Sequence, residues 1–129
     1  MGDDNVDELA RIEIDRTPRG VVARISGEID ISNVGAVKRK LTDAVTSSSP
    51  GLVIDVSGTT YLDSSGVYLL FELARALEGR QQRMCVVAPP TTPSTRVLLI
   101  TGFDHIVPVT STVEEAMQRV DAEAPTAPA

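Results

Sequence analysis

The chain predicts an α/β domain built on a mixed β-sheet, and three features predict it. Leu52–Val56 and Met84–Ala88 are short continuous apolar runs, the pattern of central strands covered on both faces. Segments with apolar residues three and four apart lie between such runs, as helical crossovers require. The opening segment alternates, with Ile12 and Ile14 set among Arg11, Glu13 and Asp15, which makes a half-buried strand. At 129 residues, with 42% apolar and 23% charged side chains, there is enough chain for one core and too little for two.

The elements follow in order. Thr17-Pro-Arg-Gly20 is turn chemistry, so Val21–Ile25 returns as the second strand of a hairpin. From Ile31 the period changes: Val34, Val37, Leu41, Ala44 and Val45 share one helical face, and Pro50-Gly51 stops that helix. The strand Leu52–Val56 is followed by a short loop to Asp63. Val67, Leu70, Phe71, Ala74 and Leu77 then mark a second amphipathic helix closed by Gly79. Met84–Ala88 is a buried strand, and Pro93–Thr101 is a short helix ended by Gly102. Ile106–Val109 forms a last strand. Thr112-Val-Glu-Glu115 is a capping box before Ala116, Met117 and Val120. The order is β-β-α-β-α-β-α-β-α within one domain at 11–120. Residues 1–10 form an acidic lead-in, and 121–129 form a tail with two prolines. Both ends are expected to be flexible.

Charge excludes one class of partner. The net charge of −6 resides at the ends, in Asp3, Asp4, Asp7, Glu8, Asp121 and Glu123. The remaining acids between Arg11 and Val120 balance the 12 lysines and arginines, so no basic stripe awaits nucleic acid. The single Cys85 sits in an apolar run and reads as a buried structural thiol in a reducing cytoplasm. No apolar run approaches the roughly 20 residues of a membrane helix, and the acidic start lacks the basic residues of a signal peptide.

The chemistry concentrates at Asp63-Ser64-Ser65-Gly66, which opens the second helix. With Asp63 as N-cap, its carboxylate accepts from the amides of Ser65 or Gly66, and Ser64 takes the first helical position with its hydroxyl outward. On residues alone this is good capping chemistry and need be nothing more. A serine hydrolase would need the one histidine, His105, within reach of a hydroxyl, and no Gly-x-Ser-x-Gly elbow surrounds either serine. A phosphorelay receiver with Asp55 as acceptor would need a late lysine, whereas Lys38 and Lys40 both lie in the first helix. No phosphate-cradling loop, cofactor motif or metal-ligand spacing is present.

Taken together, Ser26-Gly-Glu-Ile-Asp30, the strand Leu52–Val56, Leu62-Asp-Ser-Ser-Gly66 and Gly102-Phe103 resemble the anti-sigma factor antagonists, the STAS domain family, over about residues 11–120. That resemblance implies phosphorylation-controlled partner switching in the cytoplasm by a protein that is not an enzyme. The antagonist binds an anti-sigma factor that is also a serine kinase, and a sigma factor is released. The kinase then phosphorylates the serine after the aspartate, here Ser64, and a serine phosphatase reverses the mark. The resemblance places Asp30, Asp63, Ser65 and Gly66 on the partner surface. Asp30 could equally cap the helix at Ile31, and Gly66 could serve either a close kinase approach or tight packing. Where the family commonly has a second glycine, this chain has Val67-Tyr68. Tyr68 shares a helical face with Ser64 and is read as an interface anchor or as a half-exposed tyrosine over the loop. A STAS scaffold module working without phosphorylation is the alternative within the fold.

Overall fold

A computed structural model describes residues 4–121. Its elements are β1 (Ala10–Thr17), β2 (Gly20–Ile29), α1 (Val34–Ala44), β3 (Gly51–Leu62), α2 (Ser64–Gly79), β4 (Arg83–Val87), α3 (Pro93–Ile100), a 3-10 turn at Phe103–His105, β5 (Val109–Thr110) and α4 (Val113–Val120). The expected β-β-α-β-α-β-α-β-α order holds, with the 3-10 turn added. One sheet contains all five strands in the order β1-β2-β3-β4-β5. The β1–β2 hairpin is antiparallel and the other three pairings are parallel, each bridged by a helical crossover.

Strand alternation sorts the core into two faces. Val21, Ala23 and Ile25 of β2, Leu52, Ile54 and Val56 of β3, and Met84 and Val86 of β4 meet α1 and α2 through Val37, Leu41, Leu70, Leu73 and Leu77. The intervening Val22, Val53, Cys85 and Val87 meet Ala116, Met117 and Val120 of α4. The central strands are thus covered on both sides, which is why their sequence runs apolar without a break. Cys85 is buried here, and burial pushes its thiol pKa up despite the nearby Thr110 hydroxyl.

Several boundaries differ from expectation. The segment Ser57–Leu62, expected as a loop, continues β3 and pairs with Ser26–Ile29 through two register shifts. Helix α1 begins only at Val34 and ends at Ala44, short of Pro50-Gly51, and Gly51 instead opens β3. Helix α2 is closed not by Gly79 but by Gln81 at φ 60°. The Gln82 and Gln81 N–H groups donate to the carbonyls of Leu77 and Glu78, both at a helix end of the Schellman type. The last strand is only two residues because Pro108 has no N–H to extend the ladder toward Met84. Its carbonyl still accepts from Val86 at 3.0 Å. Thr112 caps α4 as expected by accepting from the Glu115 N–H, while the Glu115 carboxylate accepts from Ser111 rather than Thr112.

At the N-terminus, residues 4–9 fold back on the sheet: Ile12 N–H donates to the Asp4 carbonyl at 2.8 Å, and Val6 packs against the larger core. Apart from Asp121, the C-terminal tail at 121–129 lies outside the described residues. No helix among the described residues is long and apolar enough to cross a membrane.

Candidate functional site

The site forms because two neighbouring parallel strands end together. Ile29 of β2 pairs with Leu62 of β3, and an aspartate follows each, Asp30 and Asp63. The Asp63 N–H donates to the Ile29 carbonyl at 3.3 Å, which ties the two exits side by side. Crevices outside the carboxyl ends of strands are where open α/β sheets usually place function.

Asp63 is the N-cap of α2. Its Oδ1 accepts the N–H of Ser65 at 3.0 Å, the N–H of Gly66 at 3.2 Å, and the Ser65 hydroxyl. The extended backbone of Asp63, at φ −98° and ψ −175°, is the conformation a cap requires. Desolvation pushes the Asp63 carboxyl upward. It is outweighed by hydrogen bonds from the Ser65 hydroxyl, the Gly66 and Ser65 amides and the Ile31 amide, so its pKa lies below the ordinary value. The carboxylate therefore stays ionised at neutral pH.

The two serines are not equivalent. Ser65 is half-buried and its hydroxyl is committed to Asp63. Ser64 is the first residue of α2, exposed, with no side-chain hydrogen bond among the described residues. Gly66 is buried, and a Cβ there would press into Leu62 Cδ1 and approach Ile29 Cγ2 at 3.2 Å. Its missing side chain points inward, which favours tight packing over a close approach from outside. Tyr68, one turn after Ser64, is 63% exposed. Farther along that face Glu72 meets Lys38 of α1 at 3.3 Å.

Asp30 does not cap a helix at Ile31. Its Oδ1 accepts the N–H and hydroxyl of Ser32, closing a turn, and Asn33 takes the N-cap position of α1. Asn33 was not anticipated as a site residue. It is buried, its Oδ1 accepts the Asp30 N–H at 3.0 Å, and its amide donates to the Glu28 carbonyl at 2.8 Å. An Asn three residues after an Asp-x-Ser turn was the available signal. Ile31, also unanticipated, is 75% exposed beside Asp63. Neither Asp30 nor Asp63 is in an ion pair among the described residues.

A cleft of about 290 Å³ lies between α2, the start of β4 and the segment 106–108, lined also by Arg75, Glu78, Arg83 and Arg119, toward the far end of α2 from Ser64. His105 is exposed on the 3-10 turn, and no hydrogen bond joins it to either serine. No cluster of three or more His, Cys, Asp or Glu that could hold a metal occurs among the described residues. What the geometry offers is an exposed hydroxyl at a helix mouth, flanked by two carboxylates and two large exposed side chains, Ile31 and Tyr68.

Comparison with known proteins gives one family. The STAS domain model matches residues 11–116. An anti-sigma factor antagonist from Mycobacterium paratuberculosis is 28% identical, over 86% of this chain and 93% of that one, with a TM-score of 0.77. The anti-sigma factor antagonist SpoIIAA in its unphosphorylated form is 27% identical, over 84% and 96%, with a TM-score of 0.65. The phosphorylated form of SpoIIAA, a Bacillus cell fate determinant, is 28% identical over 84% and 98%, with a TM-score of 0.58.

Proposed function

The chain belongs to the STAS domain family, and from that premise we propose that it is an anti-sigma factor antagonist switched by phosphorylation of Ser64. Its partners on this reading are an anti-sigma factor with serine kinase activity and a serine phosphatase. The protein itself acts as a non-enzymatic, cytoplasmic regulator, and the surface of Asp30, Ile31, Asp63, Ser64 and Tyr68 is where the anti-sigma factor docks. The similar SpoIIAA structures, described as phosphorylated and unphosphorylated forms, support a reversible mark.

One observation carries the choice of residue: Ser65 donates its hydroxyl to Asp63, while the Ser64 hydroxyl is exposed and uncommitted. A phosphate on Ser64 adds about −1.5 to −2 charges near neutral pH. The N-terminus of α2 tolerates an anion, because its amide dipoles favour negative charge there. Helix α2 therefore stays folded when modified. The surface outside it changes more, since the new charge joins Asp30 and Asp63 with no cation paired to either. Against a partner already matched to the bare surface, misplaced charge costs several kcal/mol, and each ~1.4 kcal/mol is tenfold in affinity.

Incubation of the full chain with ATP and an extract of its source cells, followed by phosphopeptide mapping, tests the assignment. Modification of Ser64 is expected. Modification of Ser65 alone would overturn it, and absence of modification at both serines would favour a scaffold role within the same fold.

A further inference from the structure

Residues 4–9 are fastened to the end of β2. The Glu28 N–H donates to the Leu9 carbonyl at 2.9 Å, and the Val6 N–H to the Ala10 carbonyl at 2.9 Å. Gly27, at φ +97°, lies so close to that segment that a Cβ would collide with the Leu9 carbonyl oxygen. A glycine at this position is what allows the lead-in to lie against the strand.

From this segment a continuous set of hydrogen bonds reaches the switch. Asp7 Oδ1 accepts the Leu9 and Ala10 amides at 2.9 and 3.0 Å and the Asn33 side-chain amide at 3.3 Å. That Asn33 amide also donates to the Glu28 carbonyl, and its oxygen accepts from Asp30. Asn33 is 2% exposed, so its amide depends on these partners, while Asp7 itself stands exposed at the surface. The peptide unit whose N–H belongs to Asp30 accepts the Asp63 N–H at its Ile29 carbonyl at 3.3 Å, and the Asp63 Oδ1 orders Ser65 and Gly66.

We propose that residues 4–9 latch the switch turn: Asp7 and Asn33 are positioning residues that set where the Asp30–Ile31 turn meets Asp63, and releasing them alters how Ser64 is presented. The regulatory meaning rests on Ser64 being the phosphoacceptor, whereas the latch itself rests on the bonds just described. Asp7 contributes an exposed carboxylate acceptor at 3.3 Å, a modest tie that also fixes the Leu9 and Ala10 amides. Losing it frees one donor of a buried amide and loosens the turn that amide holds.

Amide hydrogen exchange and carboxyl titration of the full isotopically labelled chain test this, with Asp7→Ala set against Asp7→Asn. Asp7→Ala should speed exchange at Asp30, Asp63, Ser65 and Gly66 by about tenfold and move the Asp63 midpoint up toward the ordinary value, with α4 amides unchanged. Asp7→Asn keeps an acceptor oxygen and should stay near the parent. Unchanged exchange at Asp30 and Asp63 with an unmoved Asp63 midpoint would overturn the latch. Uniform acceleration that includes α4 would also overturn it, because that reports general destabilisation. Phosphorylation by ATP-supplemented source-cell extract gives the second readout. If the parent chain is modified on Ser64, Asp7→Ala should change the initial rate several-fold, and equal rates would overturn control of presentation. If the parent is never modified there, the proposed function fails while the exchange data still decide the latch.

Discussion

The turns at Asp30 and Asp63 are built from the same local unit and do different work. In each, Asp Oδ1 accepts both the N–H and the hydroxyl of the serine two residues on. A third copy, Asp55 with Ser57, makes the same pair of bonds within β3. Only at Asp63 does a helix begin at the next residue, so only there is a hydroxyl lifted to a helix mouth. After Asp30 the chain turns through an exposed Ile31 and starts its helix at Val34, capped by position but not by a side chain. After Asp55 the strand simply continues. The Asp-x-Ser bonds are therefore a reusable turn, and the three copies differ in what the chain does next.

If both strand exits face one partner, Ser64→Asp should weaken binding about a hundredfold while Ile31→Asp weakens it about tenfold; calorimetric titration with the purified anti-sigma factor measures both. Ser64→Ala should bind like the parent, and equal loss in the Ala and Asp variants would remove charge as the cause. Next in size, Gly66→Ala should destabilise the fold by about 1–3 kcal/mol, because the methyl meets Leu62 and Ile29. Gly35→Ala in α1, where nothing lies within 4 Å, should instead stabilise by about 0.5–1 kcal/mol. Urea unfolding of the pair reads the contrast directly.

Removing the acids separates the three turns. Asp63→Ala should cost about 1 kcal/mol as a lost N-cap, and Asp55→Ala about 0.5 kcal/mol or less, since no helix depends on it. Similar costs at both would show that the cap adds nothing to the turn. The smallest effect is in pH. Because the folded Asp63 pKa is lowered, its stabilisation is complete above the ordinary value of 3.8 and is lost as pH falls through the folded value. The stability gap between parent and Asp63→Ala should hold steady above about pH 5 and narrow in acid; a gap that stayed constant down to acid unfolding would contradict the cap.

The fold was legible where packing speaks through periodicity. Val53, Ile54 and Cys85 had to be buried on one face or the other, and the runs containing them became central strands. The cap at Asp63 was legible too, because its bonds are local. Boundaries governed by partners distant in sequence were not. Ser57–Leu62 carries serine, glycine and threonine and looks like a loop until β2 is placed beside it. Gln81 took the left-handed position that Gly79 seemed made for, because Gln82 is drawn in to the Thr46 and Ser49 carbonyls. Asn33 escaped notice for the same reason: its three segments meet only in the folded chain.

Pro108 has a consequence beyond shortening β5. Strand edges with free amides invite a second molecule to add on and start an aggregate. Here a two-residue strand ends one flank of the sheet behind a proline. On the other flank Asn5 bridges to Arg11, so that β1 is partly occupied by its own chain. The β5 margin is therefore a poor template for neighbours, and on the β1 margin the stretch beside Asn5 is already taken, which leaves residues 13–17 as the edge a second strand could meet.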